Sequence, residues 1–429
     1  MKALPALADA KVQRGLFRQF STTVLDQIAL SGANFLVGLM LIRHTSDADY
    51  GMYVLVQSAI ALLISGQMAW LSSPLAVLAP GKGWAERRIM IGSIDVSLRA
   101  FLRRTSLAAM LIPVAGFLLH VWSPLEAAVV ALGIVASWSA LQREYLRSVL
   151  LVYARPDSML RADLLSIVVL LSGVSIAVYT AKPAVLWAIA ALVASALAGE
   201  AAARRSINAN PGFAAGDAQP FWREMRPLGT WATIGALTYW VYNQSYNYVL
   251  AMRIDLSAVA DVNATRLLLM PTIVLTVGIK SLLVPTASGW LAESSIRRLI
   301  ERLLVFATGI ALIDLGYCAF LWLTRDWLTH DLMHKTIANR DLLLVLWAVL
   351  SLIALYRDLL QTGLFALRKF KSLAGVTAVS AVVSLSIMWL CIKSWGPAAA
   401  LIGQVAGEAV NLAGVVLLLG MAHHEDRRA

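Results

Sequence analysis

The stretch TTVLDQIALSGANFLVGLMLIR, residues Thr22–Arg43, decides the fold class of this chain. It has the length of a membrane-spanning helix, which needs about 20 mostly apolar residues with a rise of about 1.5 Å each. Small or polar side chains recur along it at helical spacing and therefore share one face of the predicted helix: Thr23, Gln27, Ser31, Asn34 and Gly38. Such a stripe either hydrogen-bonds to neighbouring helices or lines a water-filled cavity.

Asp26 lies beside this polar stripe and favours the cavity. A carboxylate at the centre of a membrane helix costs about 2.5–3.5 kcal/mol on insertion scales, so it is usually retained for a function. We therefore predict that Asp26, Gln27 and Asn34 line a central cavity.

The composition is that of an integral membrane protein. Of the 429 residues, 59% are hydrophobic and 14% are charged, and the mean hydropathy is +0.72; soluble domains carry about 25% charged residues. The cysteines Cys318 and Cys391 lie in apolar segments, which favours packing thiols over a disulfide framework. Residues 1–21 contain no continuous apolar run before their charges, so we expect a basic segment on the membrane surface rather than a cleavable signal peptide.

Apolar runs of helix length predict an all-α membrane protein with twelve transmembrane helices joined by short connections. The runs are long and do not alternate, which excludes a membrane β-barrel. The predicted spans are 22–43, 50–71, 106–122, 125–148, 160–179, 184–203, 228–252, 257–280, 299–323, 342–363, 373–392 and 397–421.

The distribution of lysine and arginine predicts the orientation. With the N-terminus inside, most of these residues fall in cytoplasmic segments and few fall in outer ones. This is the positive-inside pattern, so both termini are expected in the cytoplasm. The net charge of +11 then faces anionic lipid headgroups, and no nucleic-acid partner is needed to explain it.

An internal repeat divides the chain into two halves. The segment REYLRSVLLVYARPDS at 143–158 resembles RDLLQTGLFALRKFKS at 357–372, which aligns Arg143 with Arg357 and Glu144 with Asp358. Six spans per half is an even number, so the two lobes share one orientation and are related by a pseudo-two-fold axis along the membrane normal. The predicted domains are a cytoplasmic basic segment (1–21), an N-lobe (22–203), a cytoplasmic linker (204–227), a C-lobe (228–421) and a cytoplasmic tail (422–429).

Two six-helix lobes of like orientation are typical of transporters that bind substrate between the lobes near the membrane midplane. Arg266 lies about nine residues into the eighth predicted span, roughly 14 Å deep, and an ionisable residue at that depth is a functional candidate. Lys280, near the cytoplasmic end of this span, either faces the cavity or extends to the interface. Asp26 lies at a similar depth in the first span, and we predict that the two residues pair when the carrier is closed on the cytoplasmic side.

The seventh predicted span combines aromatic and amide side chains. Tyr239, Tyr242 and Asn243 lie along one side of it, and this combination suits sugars, because rings stack on C–H faces while amides bind hydroxyl groups. An aromatic belt at the outer interface is the alternative explanation. The acids Glu200, Asp314 and Glu408 could each carry a coupling proton or bind Na⁺, or could be capped residues near a helix end.

Several motifs do not meet the requirements of other chemistries. GKGW at Gly81 lacks the spaced glycines and the Lys-Ser/Thr pair of a phosphate-binding loop, so we predict no ATPase module and no cofactor. His330 and His334 lack a third ligand on a stable scaffold, so we predict no metal site. We likewise expect no enzymatic activity and no catalytic residues.

The opening of the chain resembles a known family. The run QIALSGANFLVGLMLIRHTSDADYGMYVLVQS at 27–58 is similar to the polysaccharide transporters, the Wzx-type O-antigen flippases of the multidrug/oligosaccharidyl-lipid/polysaccharide exporter (MOP) superfamily. The shared pattern is a polar first helix ending near an arginine, here Arg43, followed by an acid and Gly-x-Tyr, here Asp49, Gly51 and Tyr53. VPTASGWLAESSIRRL at 284–299 and REYLR at Arg143 add to the resemblance, which covers the whole chain in layout.

This resemblance implies a multi-pass flippase of the cell inner membrane for undecaprenyl-diphosphate-linked oligosaccharide repeat units in surface polysaccharide biosynthesis. It further implies a cationic central cavity, contact between the diphosphate and Arg266, and membrane lipids and polysaccharide polymerase or export machinery as partners. Relatives that flip the peptidoglycan precursor carry two further helices that this chain lacks. The first helix departs from the pattern, because Asp26 and Gln27 stand where those relatives often have arginines.

Two other functions remain open. A multidrug or metabolite cation antiporter on the same fold would need a dominant acidic site, and Arg266 and Lys280 argue against it. A membrane glycan ligase or polymerase would need a sizeable outer catalytic loop, and the longest predicted outer loop, 324–341, is short.

Overall fold

The structure, a computed structural model, describes residues 4–180, 183–210, 212–293, 295–367 and 369–428. Within these ranges it describes side chains from Ser21 onward, except those at positions 180, 231, 274, 277, 278, 280–282, 284, 285, 288, 292, 293, 370 and 426–428.

Regular structure in the described part of the chain is helical throughout. The α-helices are α1 (Leu4–His44), α2 (Asp47–Gln67), α3 (Ser73–Leu78), α4 (Trp84–Ala109), α5 (Leu111–Leu118), α6 (Pro124–Val152), α7 (Pro156–Thr180), α8 (Ala184–Ala209), α9 (Gln219–Arg253), α10 (Leu256–Leu268), α11 (Met270–Glu293), α12 (Ile296–Trp327), α13 (Arg340–Ala366), α14 (Phe370–Trp395) and α15 (Ala398–Arg428). Short π-helical segments follow α2 (Met68–Ser72) and α12 (Leu328–Leu332), and a 3₁₀ turn follows α3 (Ala79–Gly81).

Local sequence signals set several helix ends. Ser123 forms a capping box with Glu126: the hydroxyl accepts from the Glu126 N–H and the Glu126 carboxylate accepts from the Ser123 N–H, while Pro124 occupies the first helical position of α6. The turn between α14 and α15 places Gly396 at φ +53°, a conformation that glycine adopts without a Cβ penalty.

The chain is a multi-pass membrane protein. In the described residues, ten helical runs are long and apolar enough to cross a membrane. The runs formed by α9 and by α10 with α11 are also long but do not belong to those ten. The twelve predicted spans therefore stay a prediction in their full number.

The helices at the N-terminus and on both sides of the predicted linker are longer than the sequence predicted. The N-terminal segment 1–21 is helical from Leu4 and continues without a break into the first span as α1. In the predicted linker 204–227, α8 extends to Ala209 and α9 begins at Gln219, so the non-helical connection is shorter than the sequence suggested.

The chain divides into two compact units. The first comprises Met1–Thr45 with Leu55–Ala236, and the second comprises Ser46–Val54 with Leu237–Ala429. The boundaries at 54/55 and 236/237 thus fall inside α2 and α9, whereas the predicted lobes 22–203 and 228–421 have theirs inside α8 and near the start of α9.

The core of the first unit lies where α3, α4, α6 and α8 meet. Tyr145 is fully buried there and its hydroxyl donates to the Ile91 carbonyl at 2.7 Å. The connection after α8 packs onto α4 so closely that a Cβ at Gly92 would lie 2.2 Å from the Ala214 carbonyl oxygen. Lys82 ties this region to the start of α9 through an ion pair with Glu224 at 2.9 Å.

The core of the second unit lies between α11, α12, α13 and α15. Leu299, Leu303, Leu359 and Leu364 are fully buried in it. Burial of apolar side chains of this size contributes about 1.5–3 kcal/mol each relative to exposure.

The two units repeat the same helix contacts. In the first unit α8 packs against both α6 and α7; in the second α15 packs against both α13 and α14. The aligned segments 143–158 and 357–372 run from the end of α6 into α7 and from the end of α13 into α14, so the internal similarity of the sequence has a counterpart in the packing.

Candidate functional site

The second unit contains a cavity of about 190 Å³. Helices α9 to α13 and α15 contribute to its wall. The polar and aromatic residues that line it are Tyr239, Asn243, Tyr246, Arg266, Thr272, Thr276, Asp314, Trp347, Ser351, Arg357, Asp358, Gln404 and Glu408.

Arg266 enters this cavity from the last turn of α10. The helix is fixed at its other end by Asp255, whose carboxylate caps the Ala258 N–H at 2.7 Å. The half-buried guanidinium has long hydrogen bonds to the Gln244 amide oxygen (3.4 Å) and the Tyr246 hydroxyl (3.3 Å). It also lies 6.0 Å from the ring centroid of Trp347, the outer limit of a cation–π contact.

No carboxylate among the described residues forms an ion pair with Arg266. Its partners are neutral, and both hydrogen bonds are longer than the usual 2.7–3.2 Å range. The guanidinium therefore keeps donors for a group that enters the cavity.

Arg357, in contrast to Arg266, is paired with carboxylates. It is buried, and its Nε and Nη2 donate to the two carboxylate oxygens of Glu408 at 2.9 and 3.0 Å. Its Nη1 donates to Asp358 at 2.9 Å. The donors of this arginine are thus largely committed to the protein.

Asp314 is the third acid of the cavity and is nearly inaccessible, with 1% of its surface exposed. Its Oδ2 accepts from the Ser351 hydroxyl at 2.8 Å, and Thr272 is a further hydroxyl neighbour. In the described part of the structure its Oδ1 is buried without a hydrogen-bond partner.

The structure brings three of the predicted site residues, Arg266, Tyr239 and Asn243, to this one cavity. Asn243 donates its side-chain amide to the Tyr239 carbonyl at 3.0 Å. Tyr242 is fully buried instead and packs against α15, where a Cβ at Gly407 would lie 2.9 Å from its ring.

In the first unit, Asp26 is buried in an ion cluster. Arg147 of α6 donates to Asp26 (2.9 Å), to Glu144 (2.8 Å) and to Asp163 of α7 (2.8 Å). Arg143 pairs with Asp163 as well. The remaining predicted residues of α1, Gln27 and Asn34, are exposed on the helix surface.

Lys280 lies in α11, and its side chain is outside the described residues. The expected pairing of Asp26 with Lys280 therefore stays a prediction, and in the structure Asp26 pairs with Arg147.

Sequence reasoning did not select Trp347, Ser351 or Gln404 as site residues. Trp347 is buried, and its indole N–H donates to the Val262 carbonyl at 3.3 Å. The repeat drew attention to Arg357, which lies three positions from Ala354 and six from Ser351, and all three line the cavity from α13. The position of Ser351 in the same predicted span as Arg357 was the sequence signal that could have identified it as a site residue.

Comparison with known proteins gives similarity in structure only. No protein-family model matches the chain, and no curated protein matches its sequence. A multidrug resistance MATE family transporter of the MOP superfamily in an inward-facing conformation superposes with a TM-score of 0.75 at 12% identity, covering 95% of this chain and 99% of that one.

Two other solved structures are similar over most of their length. The lipid II flippase MurJ in an inward closed conformation gives a TM-score of 0.74 at 10% identity, covering 94% of this chain and 87% of that one. A MATE transporter from Vibrio cholerae gives 0.68 at 14% identity, covering 97% and 98%. The chain has the fold of the MOP-superfamily transporters.

Proposed function

We propose that this protein is a flippase that carries undecaprenyl-diphosphate-linked oligosaccharide repeat units across the cell inner membrane for surface polysaccharide biosynthesis. Twelve transmembrane helices in two six-helix lobes would provide alternating access, with both termini in the cytoplasm. Membrane lipids surround the carrier, and the polymerase or export machinery of the pathway receives its product. The fold is compatible with this proposal, because its structural neighbours include a lipid II flippase as well as multidrug transporters.

The observation that carries the proposal is the unpaired state of Arg266. A lipid diphosphate brings negative charge into a membrane interior where an uncompensated charge is very costly. A guanidinium binds phosphate oxygens through two parallel N–H donors and stays charged when water is removed. Arg266 offers this group inside a cavity and has only neutral partners among the described residues.

The rest of the lining suits a sugar attached to the diphosphate. Tyr239 and Trp347 provide aromatic surface, and Asn243 and Gln404 provide amide groups, all in the wall of the same cavity. Ligand sites commonly combine apolar walls with a few polar groups of this kind.

The experiment is export of surface glycan by cells that carry Arg266 variants. Arg266→Ala should abolish export while the amount of folded protein in the membrane is unchanged, and Arg266→Lys should keep part of the activity, because the charge survives without the planar fork. Arg253→Ala is the matched control, since Arg253 stacks on Trp389 at 3.7 Å and does not line the cavity. Normal glycan with Arg266→Ala would contradict the proposal, whereas loss of the protein itself would assign Arg266 a structural role.

One observation favours a second candidate, a cation-coupled drug or metabolite antiporter. The described lining holds the acids Asp314, Asp358 and Glu408 against the arginines Arg266 and Arg357, so its formal charge is −1 when all are ionised. An acidic cavity suits a cationic substrate. Efflux of a cationic dye that Asp314→Asn abolishes, together with glycan export unaffected by Arg266→Ala, would favour the antiporter.

A further inference from the structure

The acids in the described wall of the cavity oppose the binding of an anion. With every acid ionised the described lining carries a formal charge of −1, and a diphosphate diester adds two more negative charges. Within a buried site such like charges repel strongly, because the effective dielectric constant is far below that of water. Binding of an anion against this described lining is more favourable when a cation enters with it or when an acid of the cavity becomes neutral.

The geometry distinguishes the acids of the cavity. Glu408 and Asp358 both contact the guanidinium of Arg357, at 2.9 Å each, so neutralising either would disrupt a buried ion pair. Asp314 has no arginine or lysine partner in the described residues. Its contacts are hydroxyl groups, and its Oδ1 is buried without any hydrogen-bond partner.

We propose that Asp314 binds a proton and that this proton enters the cavity together with the anion held by Arg266. The proton comes from water and forms an O–H bond at Oδ1 of Asp314. This inference rests on the proposed function, because it takes the ligand of Arg266 to be a diphosphate. The proposal makes the coupling between anion and proton positive: each promotes binding of the other, and the two do not exchange for one another.

The physical basis is linkage between two sites that share one cavity. A negative charge near Arg266 makes a second negative charge on Asp314 less favourable, so anion binding increases the proton affinity of Asp314. By reciprocity, protonation of Asp314 increases the affinity for the anion by the same factor. Among the residues whose side chains the structure describes, the ionisable groups that share the cavity with Asp314 are Arg266 from α10, Arg357 and Asp358 from α13, Glu408 from α15 and Tyr239 and Tyr246 from α9; Cys318 lies on its own helix.

The first measurement detects the proton without any substrate. Infrared difference spectra of the purified full-length protein, recorded between acidic and alkaline pH, should contain the carbonyl stretch of a protonated carboxylic acid that Asp314→Asn removes. Asp331→Asn is the matched control, because Asp331 is an exposed acid of the same unit outside the cavity. A spectrum unchanged by Asp314→Asn would overturn the proposal, and so would loss of the band when sodium replaces choline, since Asp314 would then be a metal-cation site.

The second measurement tests the linkage. The probe is P,P′-dimethyl diphosphate, whose charge does not change near neutral pH, so any pH dependence of its binding belongs to the protein. Its affinity should rise as the pH falls, by about tenfold per pH unit at most for one linked proton and by about 5- to 150-fold in total. Asp314→Asn should make the affinity independent of pH, and Arg266→Gln should abolish binding while keeping the infrared band.

The outcomes separate this inference from the proposed function. Binding to the unmodified protein with an affinity that is the same at every pH would overturn the linkage and leave the anion site intact. No binding of the probe at any pH would overturn both, even if the infrared band of Asp314 were present.

Discussion

Arg357 on α13 and Glu408 on α15 form a two-point ion pair, in which Nε and Nη2 of the guanidinium lie 2.9 and 3.0 Å from the two carboxylate oxygens. Both side chains are buried, with 6% and 3% of their side-chain surface exposed. Because α13 and α15 are neighbours in the core of the second unit, the pair fixes the register of the two helices where they border the cavity.

Glu408→Gln should destabilise the protein strongly. The substitution leaves the Arg357 charge buried with only Asp358 as an acidic partner, and removing one member of a buried pair typically costs about 3–5 kcal/mol. Thermal unfolding of the detergent-solubilised protein measures this as a lower midpoint. Glu301→Gln is the control, because its pair with Arg297 is exposed and such pairs contribute about 1 kcal/mol or less. Equal unfolding midpoints for the two variants would show that the buried pair contributes no more to stability than the exposed pair.

The ion cluster of the first unit should respond asymmetrically to loss of an acid and loss of an arginine. Asp26, Glu144 and Asp163 face only Arg143 and Arg147, so the described cluster has one negative charge in excess. Asp26→Asn removes the excess charge and should change stability little. Arg147→Gln leaves Asp26 and Asp163 buried with less countercharge, and should lower the unfolding midpoint much more.

A double-mutant cycle between Asp26 and Arg147 checks the pairing itself. Residues in direct contact within an ion cluster show coupling of about 0.5–3 kcal/mol. The parallel cycle between Asp26 and Lys280 tests the partner that the sequence suggested. Coupling to Lys280 alone would contradict the partner seen in the structure.

The sequence predicted the helical membrane class and the internal repeat because these depend on local patterns. Hydrophobic runs of bilayer length and the alignment of Arg143 with Arg357 are visible in one dimension. The residues with which these arginines form ion pairs are not visible in the sequence alone. Arg143 of α6 pairs with Asp163 on α7, the next helix of its unit, whereas Arg357 of α13 pairs with Glu408 on α15. Two arginines at equivalent positions of the repeat therefore have partners on helices that are not equivalent.

Two further features required the three-dimensional structure. Tyr239 and Tyr242 are three positions apart and were expected on a common face, yet one lines the cavity and the other is buried against Gly407. Tyr242 is buried because α15 approaches it closely, and a periodic sequence pattern does not encode the distance between helices. The extension of α1 back to Leu4 also lay beyond a hydropathy argument, because the charged residues Asp9, Lys11, Arg14 and Arg18 interrupt the apolar residues of the added turns.

Gly51 and Gly66 of α2 should respond in opposite directions to alanine. A Cβ at Gly51 would lie 2.4 Å from the Leu256 backbone oxygen, in the same part of the second unit where Lys335 pairs with Asp47 at 2.9 Å. Gly51→Ala should therefore destabilise the protein by about 1–3 kcal/mol through overpacking. At Gly66 nothing lies within 4 Å, so Gly66→Ala should stabilise the helix by up to about 1 kcal/mol. Thermal unfolding of both variants decides whether the close contact at Gly51 exists.

Cysteine labelling of intact cells tests the orientation that the lysine and arginine distribution predicts. Ala215, in the connection between α8 and α9, is exposed and should be reached only from the cytoplasm; Thr336, between α12 and α13, is exposed and should be reached from outside. Ala215 is a better position than its neighbour Gly216, where a side chain would meet Ile89 at 2.3 Å. The native cysteines Cys318 and Cys391 are partly accessible, so both must first be replaced.

A membrane-impermeant maleimide should then label Thr336→Cys in intact cells and label Ala215→Cys only after the membrane is opened. The physical reason is that basic segments near span ends are retained on the cytoplasmic side during insertion, and the connection that contains Ala215 lies between arginine-rich helix ends at Arg204, Arg205 and Arg223. Labelling of both positions from outside would mean that an even number of spans separates them, instead of the three predicted spans 228–252, 257–280 and 299–323. That result would remove the common orientation of the two halves, and with it the two-lobe carrier on which the proposed function depends.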